Sequence, residues 1–364
     1  MSIKQDILTA ARGGIPERIP WTVSKDLLPC GQAERELRSA GLATISSAPP
    51  TSAEIFKWGP NVEVAEREII DDGRVLRRIA YRTPLGELTE LIQPVYGIGM
   101  AGRVQPWILE FMIKQSSDYE ILEFMVNEQI FTPDFDGIRQ VQEDLGNDGV
   151  VICKVAKTPF ALLWMYYTGL ERLIFDLEDN PRPVNRVMEA MIIRDQKVWK
   201  IMAKSPAELF HCSDNISADL VSPKIFNKYF LPYYQGLAEV INPAEKPIAI
   251  HVDGLIRRLA DSFKNIPEGM IIEAFTPPPT GNFSVAEARA VWGNRPIWLN
   301  FPSSVHLEPS EKVEAVTMEI LRQAAPGNGF LLGITENMPG KCWQKSLAAI
   351  GRVLSKYGTC PIQV

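Results

Sequence analysis

The apolar positions come in short runs separated by amphipathic stretches, and from Gly149 onward the alternation is regular. The runs are GVVICKVA from Gly149, AELFHCS from Ala207, KPIAIHV from Lys246, GMIIEAF from Gly269, RPIWLNF from Arg295 and GFLLGIT from Gly329. Each is too short for a helix and nearly continuous in apolar character, as expected of strands buried on both faces of a parallel sheet. Two more, RIPWTVS at 18–24 and GLATISS at 41–47, bring the total to eight. Repeated βα units in that number close on themselves, so the pattern predicts an α/β chain folded as a (β/α)8 TIM barrel. The helices between are well marked. Residues 181–204 are long and amphipathic, Ser222-Pro223 supplies a cap and a first-turn proline, and 308–325 opens on acidic residues.

Between the second and third strands, VEVAEREIIDDGRVLRRIAYRT is divided by Asp72-Gly73 in the manner of a β-hairpin. This predicts an inserted hairpin over about residues 61–95, near the barrel mouth. Neither a linker nor an internal repeat interrupts the chain, which points to a single catalytic domain over 1–364.

Composition narrows the partners. With 364 residues and 46% apolar content the chain can bury a large core, and 44 acidic against 38 basic residues give a net charge of -6. No basic run is dense enough to track a phosphate backbone, which argues against nucleic acid. The five cysteines (Cys30, Cys153, Cys212, Cys342, Cys360) are scattered and lack C-x-x-C spacing, so neither a disulfide framework nor a zinc knuckle is expected. The opening MSIKQDILTAARGG reads as a short amphipathic helix without signal-peptide layout, and no apolar window is long enough to span a bilayer. A cytoplasmic protein without membrane contact is expected. Oligomeric state stays open, a homodimer included.

Gly97-Ile98-Gly99-Met100-Ala101-Gly102 matches G-x-G-x-x-G, but Pro106 interrupts the helix that a dinucleotide site needs, and no βαβ unit surrounds the motif. A glycine-rich loop is the better reading. More informative are the strand exits, since function in a barrel sits at the carboxyl ends of the strands. In order they give His211-Cys212-Ser213-Asp214, His251-Val252-Asp253, Glu273, Asn300 and Thr335-Glu336-Asn337. His251 and Asp253 leave the same side of a strand and can address one site, although Asp253 could equally satisfy His251 as a core pair. Of the neighbours His211 and Cys212, at most one can face that site. Glu273 interrupts Met270-Ile271-Ile272 and needs a metal, a cation or a proton if buried. Glu336 closes the last apolar run, either at the site or capping the final helix. His306 reads as a loop residue. Asp253, Asp214 and Asn300 are the expected catalytic group. Trp164, Tyr166, Tyr167, Phe275, Trp298 and Phe301 are candidates for a pocket wall, most of them serving the core.

Residues 7–11 (ILTAA) through 16–20 (PERIP), 154–169 (KVAKTPFALLWMYYTG), 222–232 (SPKIFNKYFLP) and 248–254 (IAIHVDG) together resemble the uroporphyrinogen decarboxylase superfamily. That superfamily includes the zinc-dependent corrinoid methyltransferases, and the resemblance covers most of the chain. The decarboxylase proper carries an arginine-rich R-Q-A-G-R segment after strand one that binds tetrapyrrole carboxylates. Here that stretch is Trp21-Thr22-Val23-Ser24-Lys25-Asp26, and Arg103 lies elsewhere, so porphyrinogen decarboxylation becomes the second choice. The methyltransferase branch has H-x-C on the strand of His251 and a further cysteine at the exit of the eighth. This chain has Asp253 and Thr335-Glu336 at those places.

The resemblance therefore implies Zn2+ held by His251, Glu273 and Glu336, a harder set that suits an oxygen substrate over a thiol. EAFTPPP from Glu273 and WLNFPSS from Trp298 are similar to the methyltransferase component of anaerobic aryl-ether O-demethylase systems. What this implies is transfer of methyl from a methoxylated aromatic to cobalamin or a related corrinoid on a partner protein, with Asp253 orienting His251 or delivering a proton.

Overall fold

A computed structural model describes residues 2–48, 57–95, 106–336, 338 and 340–363. Its strands run in chain order as β1 (Trp21–Ser24), β2 (Leu42–Ala48), β3 (Glu63–Asp71), β4 (Arg74–Thr83), β5 (Gly86–Gln93) and β6 (Trp107–Glu110). There follow β7 (Gly149–Val155), β8 (Leu209–Ile216), β9 (Ile248–Val252), β10 (Met270–Phe275), β11 (Ile297–Asn300) and β12 (Phe330–Ile334). Parallel pairing in the order β1-β12-β11-β10-β9-β8-β7-β2 closes a barrel, so all eight runs expected from the sequence form it. Helices join successive strands, and this is a (β/α)8 TIM barrel. Every residue of β10, β11 and β12 is buried, because the barrel interior covers one face and the helices the other.

The inserted segment holds more than the expected hairpin. The hairpin itself is there, with both Asp72 (φ 47°) and Gly73 (φ 75°) in the left-handed conformation that a tight two-residue turn requires. It continues into a four-stranded antiparallel sheet, β3-β4-β5-β6. The added strands are held by cross-strand pairs: Arg82 donates to Glu87 at 2.8 Å, Tyr81 to Glu90 at 2.8 Å, and Arg78 to both oxygens of Glu110 at 2.8 and 3.0 Å. Chain contacts separate two compact units, one of residues 1–50, 135–155 and 203–364 that contains the barrel, the other of 51–134 and 156–202 that contains this sheet. The glycine-rich stretch 97–102 and Arg103 lie outside the described residues.

Alternation along the barrel strands fixes what faces inward. Ala43, Ile45, Val150, Leu209, Ala249, Ile271, Trp298 and Leu331 form one apolar layer together with Ile7, Ala10 and Ala11 of helix α1 (Ile3–Ala11). That helix lies at the amino ends of the strands, where Lys4 pairs with Glu208 at 2.9 Å just before β8, and Gly329 N–H donates to Gly14 O at 2.8 Å just before β12. The first helix therefore closes the base of the barrel with apolar side chains. Ser2 and Gln5 start it through a capping box.

Candidate active site

Two residues beyond the plug layer, on three adjacent strands, the inward side chains become polar. Leu209 is followed by His211, Ala249 by His251 and Ile271 by Glu273, each pair two apart and so on one face. Register brings them together: Glu273 lies beside His251, and the His251 strand runs beside that of His211. Glu273, 5% exposed, places Oε2 at 2.6 Å from His251 Nδ1 and 2.9 Å from His211 Nε2. The remaining ring nitrogens are engaged as well, His211 Nδ1 with Ser213 Oγ at 2.9 Å and His251 Nε2 with Asp253 Oδ1 at 3.5 Å.

The electrostatics follow from this geometry. Burial alone would lower His251, but the charge of Glu273 and the hydrogen bonds that the ring donates to Asp253 and Glu273 outweigh it and hold the imidazole up at about 10. Burial would raise Glu273, yet the two histidines pull it well below the usual carboxylate range. Glu336 is raised, first by burial and then by the negative charges of Asp253 and Glu273, with His251 opposing.

Among the described residues, His211, His251 and Glu273 form the group of His, Cys, Asp and Glu side chains close enough to share a metal ion, with ligand atoms within 4.8 Å of one another. Two imidazoles and a carboxylate are a donor set suited to zinc. Each ring also turns its second nitrogen to an oxygen, which is how outer partners orient metal-bound histidines. The residues present fit the ion.

The expected site residues are distributed unevenly. His251 and Glu273 are at the centre and Asp253 is beside them. Glu336 stands on the turn after β12, with solvent on part of the residue and its carboxyl crowded by neighbouring atoms, within the field of the other three but outside the cluster. It does not cap the last helix (Trp343–Tyr357), whose N-cap is Cys342. Asp214 is 0% exposed and accepts from Cys212 Sγ at 3.1 Å and Tyr234 OH at 2.5 Å, on the opposite face of β8 from His211. Asn300, 3% exposed, bonds Thr276 Oγ1 at 3.1 Å and the Thr335 N–H at 3.1 Å, tying strand ends together. Phe275, Trp298 and Phe301 are buried, and Trp164, Tyr166 and Tyr167 belong to the other unit. His306, expected in a loop, lies after β11 in the short 3-10 helix Ser303–Leu307 and is buried there against Phe301.

Sequence reasoning left His211 undecided, as one of two adjacent residues of which at most one could face the site. Of the adjacent His211 and Cys212 it is the histidine that faces inward, and the signal was available. An apolar residue followed two places later by a polar one recurs as Leu209/His211, Ala249/His251 and Ile271/Glu273.

The model of the family described as Uroporphyrinogen decarboxylase (URO-D) matches residues 96–352, well over half of the chain. The chain belongs to the uroporphyrinogen decarboxylase family. One curated member, the uroporphyrinogen decarboxylase of Geotalea uraniireducens (strain Rf4), is 23% identical over 256 residues, covering 67% of this chain and 72% of that protein. Among solved structures, a methyltransferase from Methanosarcina mazei superposes with a TM-score of 0.58 over 98% of this chain and 99% of its own, at 12% identity. At that identity the likeness is one of fold. No helix among the described residues is long and apolar enough to cross a membrane.

Proposed function

We propose that this member of the uroporphyrinogen decarboxylase family transfers a methyl group from a methoxylated aromatic compound to the Co(I) corrinoid of a partner protein. The observation that carries the reading is the donor set: two imidazoles and a carboxylate at the barrel mouth, rimmed by Asp253 and Glu336, with no sulfur among them. Cys212, the nearest cysteine in sequence, is buried on the other face of β8. A sulfur-free set of two nitrogens and one oxygen suits an ether oxygen better than a thiolate.

In the transfer the methyl carbon bonds to the cobalt acceptor as its bond to the ether oxygen breaks. The electron pair goes to that oxygen, which leaves as a phenolate whose conjugate acid has a pKa of roughly 10, so it needs stabilisation and a proton. A zinc ion held by His211, His251 and Glu273 would supply Lewis-acid polarisation of the oxygen. Ser213 and Asp253 orient the two rings through their outer nitrogens. Glu336 is the rim carboxyl that keeps its proton more readily, since burial and the neighbouring negative charges raise it, and it serves as the proton donor to the phenolate.

A second reading, decarboxylation of a porphyrinogen, is favoured by the name of the Geotalea relative. Against it stands the absence of arginine from Trp21 to Asp26, which leaves a polycarboxylate without a cationic clamp there. The deciding assay supplies 2-methoxyphenol and a corrinoid protein reduced to Co(I), and reads the methylcobalamin absorbance. Turnover is expected only with both present. Glu273→Gln and His211→Ala should lose transfer together with bound zinc, whereas Glu336→Gln should keep the zinc and slow transfer by about a hundredfold. Carbon dioxide released from uroporphyrinogen, with no methyl transfer, would establish the second reading instead.

A further inference from the structure

Glu273 faces the barrel interior, and Phe275, two residues further on, does not. The Phe275 ring packs on Phe283 and Trp292 at 6.0 and 5.7 Å, on the helix side of the sheet. Strict alternation would send both side chains the same way. The inversion occurs at Ala274, 2% exposed, whose φ of 59° lies in the left-handed region. Pairing with β11 runs from Glu273 opposite Trp298 directly to Phe275 opposite Leu299, leaving Ala274 as the extra residue of a bulge.

Of the non-glycine residues with positive φ among the described ones, Asp72 and Glu245 occupy turns, while Asn215 and Ala274 lie inside the strands that carry His211 and Glu273. An alanine in this conformation is strained and persists only where its surroundings over-determine it. Here they do. Thr276 Oγ1 donates to the Ala274 carbonyl at 3.0 Å, Asn300 Nδ2 donates to Thr276 Oγ1 at 3.1 Å, and Asn300 Oδ1 accepts from Thr335 N–H at 3.1 Å. A continuous line of hydrogen bonds thus runs from the end of β12 across β11 to the strained peptide. Glycine would adopt the same φ without strain, but with much wider freedom around it.

We infer that Ala274 is a positioning residue: its left-handed backbone, clamped through Thr276 and Asn300, fixes Glu273 Oε2 between the two histidine rings. This rests on the reading of His211, His251 and Glu273 as the working site. It also gives Asn300 a bracing role in place of a chemical one.

The test uses the full chain carrying Ala274→Gly, with Thr276→Val as a second variant. Four quantities are read: the melting temperature, the side-chain 15N resonances of His211 and His251 in metal-free protein, Co(II) affinity by visible absorption, and methyl transfer. Ala274→Gly is expected to melt at the same temperature or higher, because the strain is relieved. Its histidine resonances should shift or broaden, Co(II) affinity should fall by about tenfold, the lower end for lost outer-shell support, and kcat should fall with KM unchanged. Thr276→Val should move the resonances and affinity the same way while melting lower. Wild-type resonances and wild-type Co(II) affinity in Ala274→Gly would overturn the inference. Should the unaltered protein bind no Co(II) and transfer no methyl group, the proposed function falls. The metal-free resonances then decide Ala274 alone, unchanged signals overturning its role and altered ones supporting it.

Discussion

His306 places Nδ1 at 2.6 Å from Ser346 Oγ with its ring 5.1 Å from Phe301, and burial pushes its pKa down to about 4. The folded chain therefore prefers the neutral ring. As pH falls from the unfolded-state value of about 6.5 towards 4, the unfolded chain takes up a proton that the folded chain refuses, and stability is lost through that window. Full passage costs about 3 kcal/mol, and between about pH 7.5 and about pH 5 the loss is roughly 2 kcal/mol. His306→Gln should flatten this component, measured as the difference between the urea-unfolding profiles of the two proteins. Parallel profiles would show that His306 titrates freely. Residues like this were hard to place from sequence, because a single histidine between Val305 and Leu307 carries no period. Glu273 was legible for the opposite reason, as a lone carboxylate inside a run that must be buried. Asp214 misled because a strand exit offers both faces, and only the plug layer beneath decides which one meets the site.

At the level of the element, α1 depends on the barrel and the barrel on α1. Ile7, with no exposed surface, fills the amino end against strands from all round the ring. Truncation by Ile7→Ala should destabilise the protein by about 2–5 kcal/mol, read in denaturant unfolding, while leaving zinc binding intact because a whole apolar layer separates it from the histidines. A loss under about 1 kcal/mol would mean that the helix is dispensable. All eight barrel strands were readable, since continuous apolar runs survive even where propensity is weak. Strand β10 shows the limit. Its composition predicts a strand, but nothing in MIIEAF announces that the face reverses at Ala274. In the insertion, β6 is four residues long, too short to show alternation, and β5 is rich in residues that disfavour strands. Both form through pairs with partners that only the folded sheet brings opposite.

For the molecule as a whole, metal and stability should be linked. If His211, His251 and Glu273 bind zinc in the folded chain alone, free zinc at about a hundred times its Kd should add about 2.7 kcal/mol to stability. The melting temperature should rise accordingly, fall on chelation, and not respond in Glu273→Gln. An equal rise in that variant would place the bound zinc elsewhere. The architecture and family were within reach of the sequence because a closed barrel repeats its pattern eight times. The composition of the site was only half legible, since it depends on which of two neighbouring side chains turns inward.

The apolar floor laid down by α1 has a kinetic consequence. Among the described residues the amino end is filled by α1, so in the transfer proposed above neither the aromatic ether nor the cobalt acceptor would arrive from that side. If both use the carboxyl end, the small molecule would enter first and the acceptor follow it. The demethylated phenol would then be held until the acceptor departs, which would make the sequence of arrivals compulsory and let excess acceptor compete with its own co-substrate.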